Sequence, residues 1–248
     1  MSLIGIMGAM PEEINKIIDQ LTDIQIIERG SRKYYKGILF GQQVVAVFSR
    51  WGKVAAATTA TNLILEFGVT QIIFTGVAGG LASEAAIGDI VVGVRLYQHD
   101  MDARPLMPRL EIPLTGKDAF HSSDSLVTRM GNAIEEFLKN NEPHLTRLRE
   151  SNIHQPKLIV GDIASGDLFI SSPKMKNAIL KNIPSAVCAE MEGGAVAQVC
   201  DDYNVPLVVV RIISDTADDN AHINAIDFIN NFAADYSIGI IKHYFMAL

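Results

Sequence analysis

The apolar positions change period repeatedly along the chain. Leu3–Met7 is a short apolar run stopped by Gly8, the pattern of a buried strand. Pro11 suits a first helical turn, and Ile14, Ile17, Ile18 and Leu21 then recur at helical spacing. Gly37–Phe40 and Val44–Phe48 read as strands joined by Gly41-Gln42-Gln43 in a hairpin. Lys53–Phe67 is alanine-rich and helical, Gln71–Thr75 is a strand that breaks at Gly76, and Ile87–Val94 is another strand. The proline-bearing stretch Arg104–Pro113 predicts an irregular loop. Further on come a helix over Leu126–Leu138, a strand over Leu158–Ile163 and helices over Pro173–Leu180 and Ala195–Asp201. A strand over Leu207–Ile213 and a closing helix from near Ile226 to Phe245 complete the pattern. Strands alternating with helices imply an α/β fold with a largely parallel sheet covered on both faces. No composition break, internal repeat or low-complexity segment divides the chain, so a single domain over residues 1–248 is expected.

Composition narrows the function classes. At 248 residues and 48% apolar, the chain can build a core without a disulfide or metal staple. Its 21 basic residues against 28 acidic ones give a net charge of −7, which argues against a nucleic-acid partner. Apolar runs such as Val205–Val210, interrupted by Pro206, fall far short of the roughly 20 residues of a membrane helix. The start lacks a basic segment and soon meets Glu12 and Glu13, unlike a signal peptide. The cysteines, Cys188 and Cys200, both lie in apolar surroundings, as expected of a reduced, cytoplasmic protein.

Ligands of open α/β sheets bind beyond the carboxyl ends of the strands. At those ends stand Gly8–Glu13, then Gly76-Val77-Ala78-Gly79-Gly80, and finally Ser214-Asp215, with Ala189–Ala195 entering a helix between the last two. Each has a plain structural reading. Glu12 and Glu13 complement a helix dipole, the glycines make a tight turn with the wrong spacing for a dinucleotide fingerprint, and Ser214-Asp215 makes an N-cap. Glu190 and Glu192 are harder to explain so, because carboxylates beside the apolar Val187–Ala189 risk desolvation. His99-Asp100-Met101-Asp102 resembles a metal cluster but has no second half, and no nucleophile elbow, zinc-protease pair or Walker loop occurs. No metal or cofactor is expected.

Taken in order, these segments resemble the 5′-methylthioadenosine/S-adenosylhomocysteine nucleosidases. The resemblance is carried by Ile4–Met10 with Glu12-Glu13, Trp51–Ala57, Thr75–Gly80, Ile163–Ile170, Ala189–Glu192 and Arg211–Asp215, nearly the whole chain. It implies one α/β domain around a mixed, partly barrel-like sheet flanked by helices, in a homodimer. It also implies roles: Glu13 as base for the attacking water, Asp215 as acid for the leaving adenine, and Ser214 orienting Asp215. Glu192 would bind the ribose hydroxyls, Met191 would pack on the sugar, and Phe169 would stack on the purine. Ile170 would meet the base through its backbone, and Ala78 and Gly79 would line the pocket. Glu190, Arg211 and Trp51 join the binding residues, Trp51 facing the 5′ substituent unless it packs beneath the following helix. In the resembling family a loop from the partner subunit closes the 5′ end of the pocket, and Leu106–Pro113 is the candidate here.

The chemistry itself asks for such residues. Breaking an N-glycosidic bond to adenine needs a proton for N7, and acid–base catalysis is typically worth about 10²–10⁴-fold. Nearby negative charge steadies the oxocarbenium-like sugar. Glu12 and Glu13 would repel a phosphate dianion where phosphorylases carry arginine, so hydrolysis is expected over phosphorolysis. Rival functions are a futalosine-type nucleoside hydrolase, a nucleoside phosphorylase and a non-catalytic nucleoside-binding protein. Departures from the family pattern are Val77 in place of a serine beside the water, Trp51 in place of a smaller aliphatic residue, and Ala225 where some members have an aromatic residue.

Overall fold

The longest apolar runs become strands that are buried on both faces. In the computed structural model, which describes residues 2–151, 153–218 and 221–247, β1 (Ile4–Gly8) and α1 (Pro11–Asp19) come first. A meander follows, β2 (Thr22–Arg29), β3 (Arg32–Leu39) and β4 (Gln42–Phe48), then α2 (Lys53–Leu65), β5 (Gln71–Gly80) and β6 (Ile90–Gln98). After β7 (Ala119–His121), α3 (Asp124–Asn140) and α4 (Glu142–Glu150) come β8 (Leu158–Ser165) and α5 (Pro173–Asn182). The second half closes with β9 (Ala186–Glu190), α6 (Gly193–Asp202), β10 (Leu207–Asp215), α7 (Ala221–Phe228) and α8 (Ala234–Met246). A π-helical turn, Ile229–Ala233, joins the last two helices, so the expected single closing helix starts earlier and is interrupted.

The strand order is β10-β6-β8-β9-β5-β1-β4-β3-β2, and β10 also pairs with β5. That extra pairing closes β5, β10, β6, β8 and β9 into a five-strand barrel, with β1, β4, β3 and β2 extending from it. The sheet is mixed. β1 runs parallel to β4 and β5, whereas β10–β6, β5–β9 and β3–β4 are antiparallel, which corrects the expectation of a largely parallel sheet. Alternation along the strands builds two cores. Ile4, Ile6, Val208, Val210 and Ile212 face α1, α3 and α8, while Met7, Phe74, Val209 and Ile213 face the side covered by α2 and α6.

Sequence patterning missed β2, whose residues are almost all exposed, and the short strands β7 and β9. It also stopped β5 too soon. The strand continues through the glycines because Arg211–Asp215 pairs with Gly76–Gly79 and Cys188-Ala189 pairs with Gly79-Gly80.

Candidate active site

Glu13 sits in the first turn of α1, where Pro11 opens the helix. Its Oε2 accepts the backbone N–H groups of Ala9 at 2.6 Å and Met10 at 2.9 Å, and its Oε1 accepts that of Val77 at 3.0 Å. Glu13 therefore does cap its helix, yet it also reaches across to β5. Gly76 permits the approach, since a Cβ there would lie 2.8 Å from Glu13 Oε1. Burial raises the Glu13 carboxyl above the usual range, against the opposing pull of the Arg211 guanidinium and the three N–H groups.

Asp215 ends β10 rather than capping a helix, so the N-cap reading of Ser214-Asp215 is corrected. The Ser214 hydroxyl donates to Asp215 Oδ2 at 2.9 Å, and the Ala217 N–H donates to Oδ1 at 2.9 Å. A Cβ at Gly79 would stand 2.9 Å from Oδ1, so this second glycine clears space for the second carboxyl. Asp215 is 2% exposed, and burial raises its carboxyl above the ordinary range. Glu13 and Asp215 thus meet β5 two to three residues apart, roughly 7–10 Å along a strand.

Glu192 precedes α6 and accepts the Gly52 N–H at 2.8 Å on Oε1. Burial first and the neighbouring Glu190 second push its carboxyl up to about 8, with Arg211 pulling the other way. Glu190 is already committed inside the protein. It accepts from Ser165 Oγ, from the Glu192 and Gly193 N–H groups, and from Arg211 Nη2 at 2.6 Å. Arg211 is 1% exposed and lies 4.2 Å from the Phe74 ring centroid. An uncompensated charge there would cost several kcal/mol, on the order of 3–5. The pair therefore supports the wall of the site, and a direct contact with a ligand, expected from the sequence for Glu190 and Arg211, does not follow from this geometry.

Phe169 is 48% exposed, while Ile170 is buried beside Ala189 and Ala217 in a small apolar cluster. Ala78 is buried, and Val77, Gly79 and Met191 are partly open. Trp51 is 65% exposed, which removes the alternative of a tryptophan packed beneath α2. Its loop is pinned to the site from two sides. The Gly52 N–H binds Glu192, and the Lys53 N–H donates to Asp167 Oδ1 at 2.8 Å. The sequence offered no signal for this clasp, nor for the Glu190–Arg211 pair. Leu106–Pro113 divides in two: Leu106 is 89% exposed, while Leu110 and Ile112 pack within their own chain.

The His-Asp-Met-Asp segment is spent on ion pairs, Asp100 with Lys53 at 2.7 Å and Asp102 with Arg104 and Arg109. Among the described residues, no three His, Cys, Asp or Glu side chains converge as a metal-ligand set. No helix among them is long and apolar enough to cross a membrane.

Comparison with known proteins agrees with this arrangement. The sequence profile of the Phosphorylase superfamily matches residues 3–245. The aminodeoxyfutalosine nucleosidase of Helicobacter pylori strain 26695 is 35% identical over 231 residues, covering 93% of this chain and 92% of that protein. The 5′-methylthioadenosine/S-adenosylhomocysteine nucleosidase of Staphylococcus carnosus is 34% identical, covering 95% and 96%. Among solved structures, the nucleosidase of Colwellia psychrerythraea in complex with adenine superposes with a TM-score of 0.89 at 31% identity, covering 100% of this chain and 96% of that one. With the barrel, the carboxyl groups at its strand ends and the full-length match in agreement, this chain belongs to the phosphorylase superfamily.

Proposed function

We propose that the protein hydrolyses the N-glycosidic bond of 5′-modified adenine nucleosides, 5′-methylthioadenosine and S-adenosylhomocysteine, releasing adenine and the thioribose. The observation that carries this reading is the set of buried carboxyl groups at the strand ends, Glu13 and Glu192 in the field of an Arg211 already paired with Glu190, and Asp215 at the end of the strand that carries Arg211. Arg211 is taken up by Glu190 and offers a phosphate dianion no spare charge, while Glu13 can accept a proton from water.

In the proposed reaction Glu13 takes a proton from water as the oxygen attacks C1′, and Asp215 delivers a proton to N7 of the departing base. A carboxyl raised by burial is suited to hold that proton near neutral pH. Glu192 accepts from the ribose hydroxyls, Met191 packs on the sugar, Phe169 and Ile170 receive the purine, and Ala78 and Gly79 form the floor. Val77 contributes its backbone N–H to Glu13, so the serine hydroxyl found in relatives is missing but the base remains anchored. A futalosine-type substrate is the second reading, favoured by the similarity to the Helicobacter pylori nucleosidase.

The protein works without a cofactor, in the cytoplasm, in methionine salvage, and as a homodimer whose partner covers the exposed Leu106. Adenine release from 5′-methylthioadenosine, S-adenosylhomocysteine, 5′-deoxyadenosine and aminodeoxyfutalosine, compared side by side, tests the substrate. Turnover of none of the four refutes it. Light scattering should report about twice 27.0 kDa, and an active monomer at every concentration refutes the dimer.

A further inference from the structure

Helix α5 starts shortly after Phe169-Ile170, and Ser172 Oγ caps it by accepting the Met175 N–H at 3.4 Å. In its first turn Lys176 sends its ammonium inward to two backbone carbonyls, Gly80 O at 2.9 Å and Thr216 O at 3.1 Å. Those carbonyls follow directly on Gly79 and Asp215, which are partners in the β5–β10 register. The hydrogen bonds to the Asp215 carboxylate come from Ser214 and Ala217, both from its own strand end. Lys176 is thus the link from α5 to the two strand ends that set the carboxyl's place.

We propose that Lys176 is a positioning residue for the general acid. Its ammonium holds the Gly80 and Thr216 carbonyls together and keeps the Asp215 carboxyl aligned with a purine on Phe169 and Ile170; this rests on the assignment of Asp215 as the acid. An ammonium has three donors and no acceptor, so it can serve both carbonyls at once. Remove it, and two acceptors lose their donor and their dipoles oppose one another. A shift of about 1 Å at a reacting group can cost on the order of 10²-fold in rate.

Charge gives a second readout. Among the described residues, the titratable groups facing Asp215 include Lys176 from α5, Asp218 from the segment after β10, and the Cys188 thiol from β9. Burial is the largest influence and raises its carboxyl, Asp218 adds to the rise, and Lys176 lowers it. Loss of the cation therefore raises the carboxyl further.

The test compares the wild-type chain with K176M, K176R and K174M, the last removing an exposed lysine of the same helix. Melting temperatures establish folding, and steady-state kinetics on 5′-methylthioadenosine across pH give the result. K176M should lower kcat about 10- to 100-fold with KM changed less than about threefold, and move the alkaline limb to higher pH. K176R should recover most of both, and K174M should match the wild type. A K176M enzyme with unaltered kcat overturns the proposal. So does a K176M enzyme that is slow but keeps an unmoved alkaline limb and gains nothing from arginine. Wild-type protein that neither releases nor binds adenine refutes the reading of the site, and this inference with it.

Discussion

Gly76→Ala should disable the base while leaving every catalytic side chain in place. The added Cβ would stand 2.8 Å from Glu13 Oε1 and 3.1 Å from its Cδ, roughly 0.5–1 Å inside ordinary contact. The carboxylate cannot easily retreat, since the Ala9 and Met10 N–H groups hold Oε2 at 2.6 and 2.9 Å. What yields is the bond from the Val77 N–H, now 3.0 Å, which a shift of about half an ångström takes beyond hydrogen-bond range. A hydrogen bond to a charged group is worth about 1.5–3 kcal/mol, so kcat should fall about 10- to 100-fold. The acid limb should also move. The Val77 N–H lowers the Glu13 carboxyl, so its loss raises it, and the enzyme should need a higher pH to keep the base ionised. The assay is adenine release against pH, with Gly131→Ala as the control. That residue lies in α3, where a Cβ meets only Leu158 Cδ2 at 3.5 Å, and alanine should stabilise the helix by up to about 1 kcal/mol. Wild-type kcat and an unmoved acid limb in Gly76→Ala would refute the argument.

Asp215→Asn should lower kcat by at least about 10²-fold with the fold intact, and near-wild-type turnover would remove it from the role of acid. Trp51→Ile should barely alter melting temperature, because the indole is 65% exposed, while kcat/KM among 5′ substituents shifts by up to about 10–200-fold; a large loss of stability with unchanged ranking would contradict this. His144 packs edge-on against Tyr236 at 4.3 Å, with neither ring nitrogen hydrogen-bonded, and burial pushes it down to about 4. The unfolded chain protonates first as pH falls below about 6.5, so roughly 2–3 kcal/mol of stability should drain away between there and pH 4. His144→Phe should flatten that slope in pH-dependent melting, and an unchanged slope would exclude His144 as its source.

Much of this architecture is legible in the sequence, and the gaps have physical causes. Leu207–Ile213 and Leu3–Met7 announce themselves because strands buried on both faces read as continuous apolar runs. β2 is silent because an exposed edge strand needs no apolar alternation, and β9 because five residues are too few to show a period. The extension of β5 through Gly76–Gly80 depends on partners more than a hundred residues away, which no local pattern reports. The carboxyl groups stand out at strand ends because few structural roles need an acid there. That Glu190 is bound to Arg211, and that Lys176 reaches Thr216, emerges only when the barrel closes.

The central claim is that water, not phosphate, attacks the sugar. The direct measurement is turnover of 5′-methylthioadenosine in phosphate-free buffer made with ¹⁸O-labelled water, with phosphate then added. The account predicts full adenine release without phosphate, one ¹⁸O atom in the thioribose product, and no gain in rate on adding phosphate. Turnover that requires phosphate and yields a sugar 1-phosphate would contradict it.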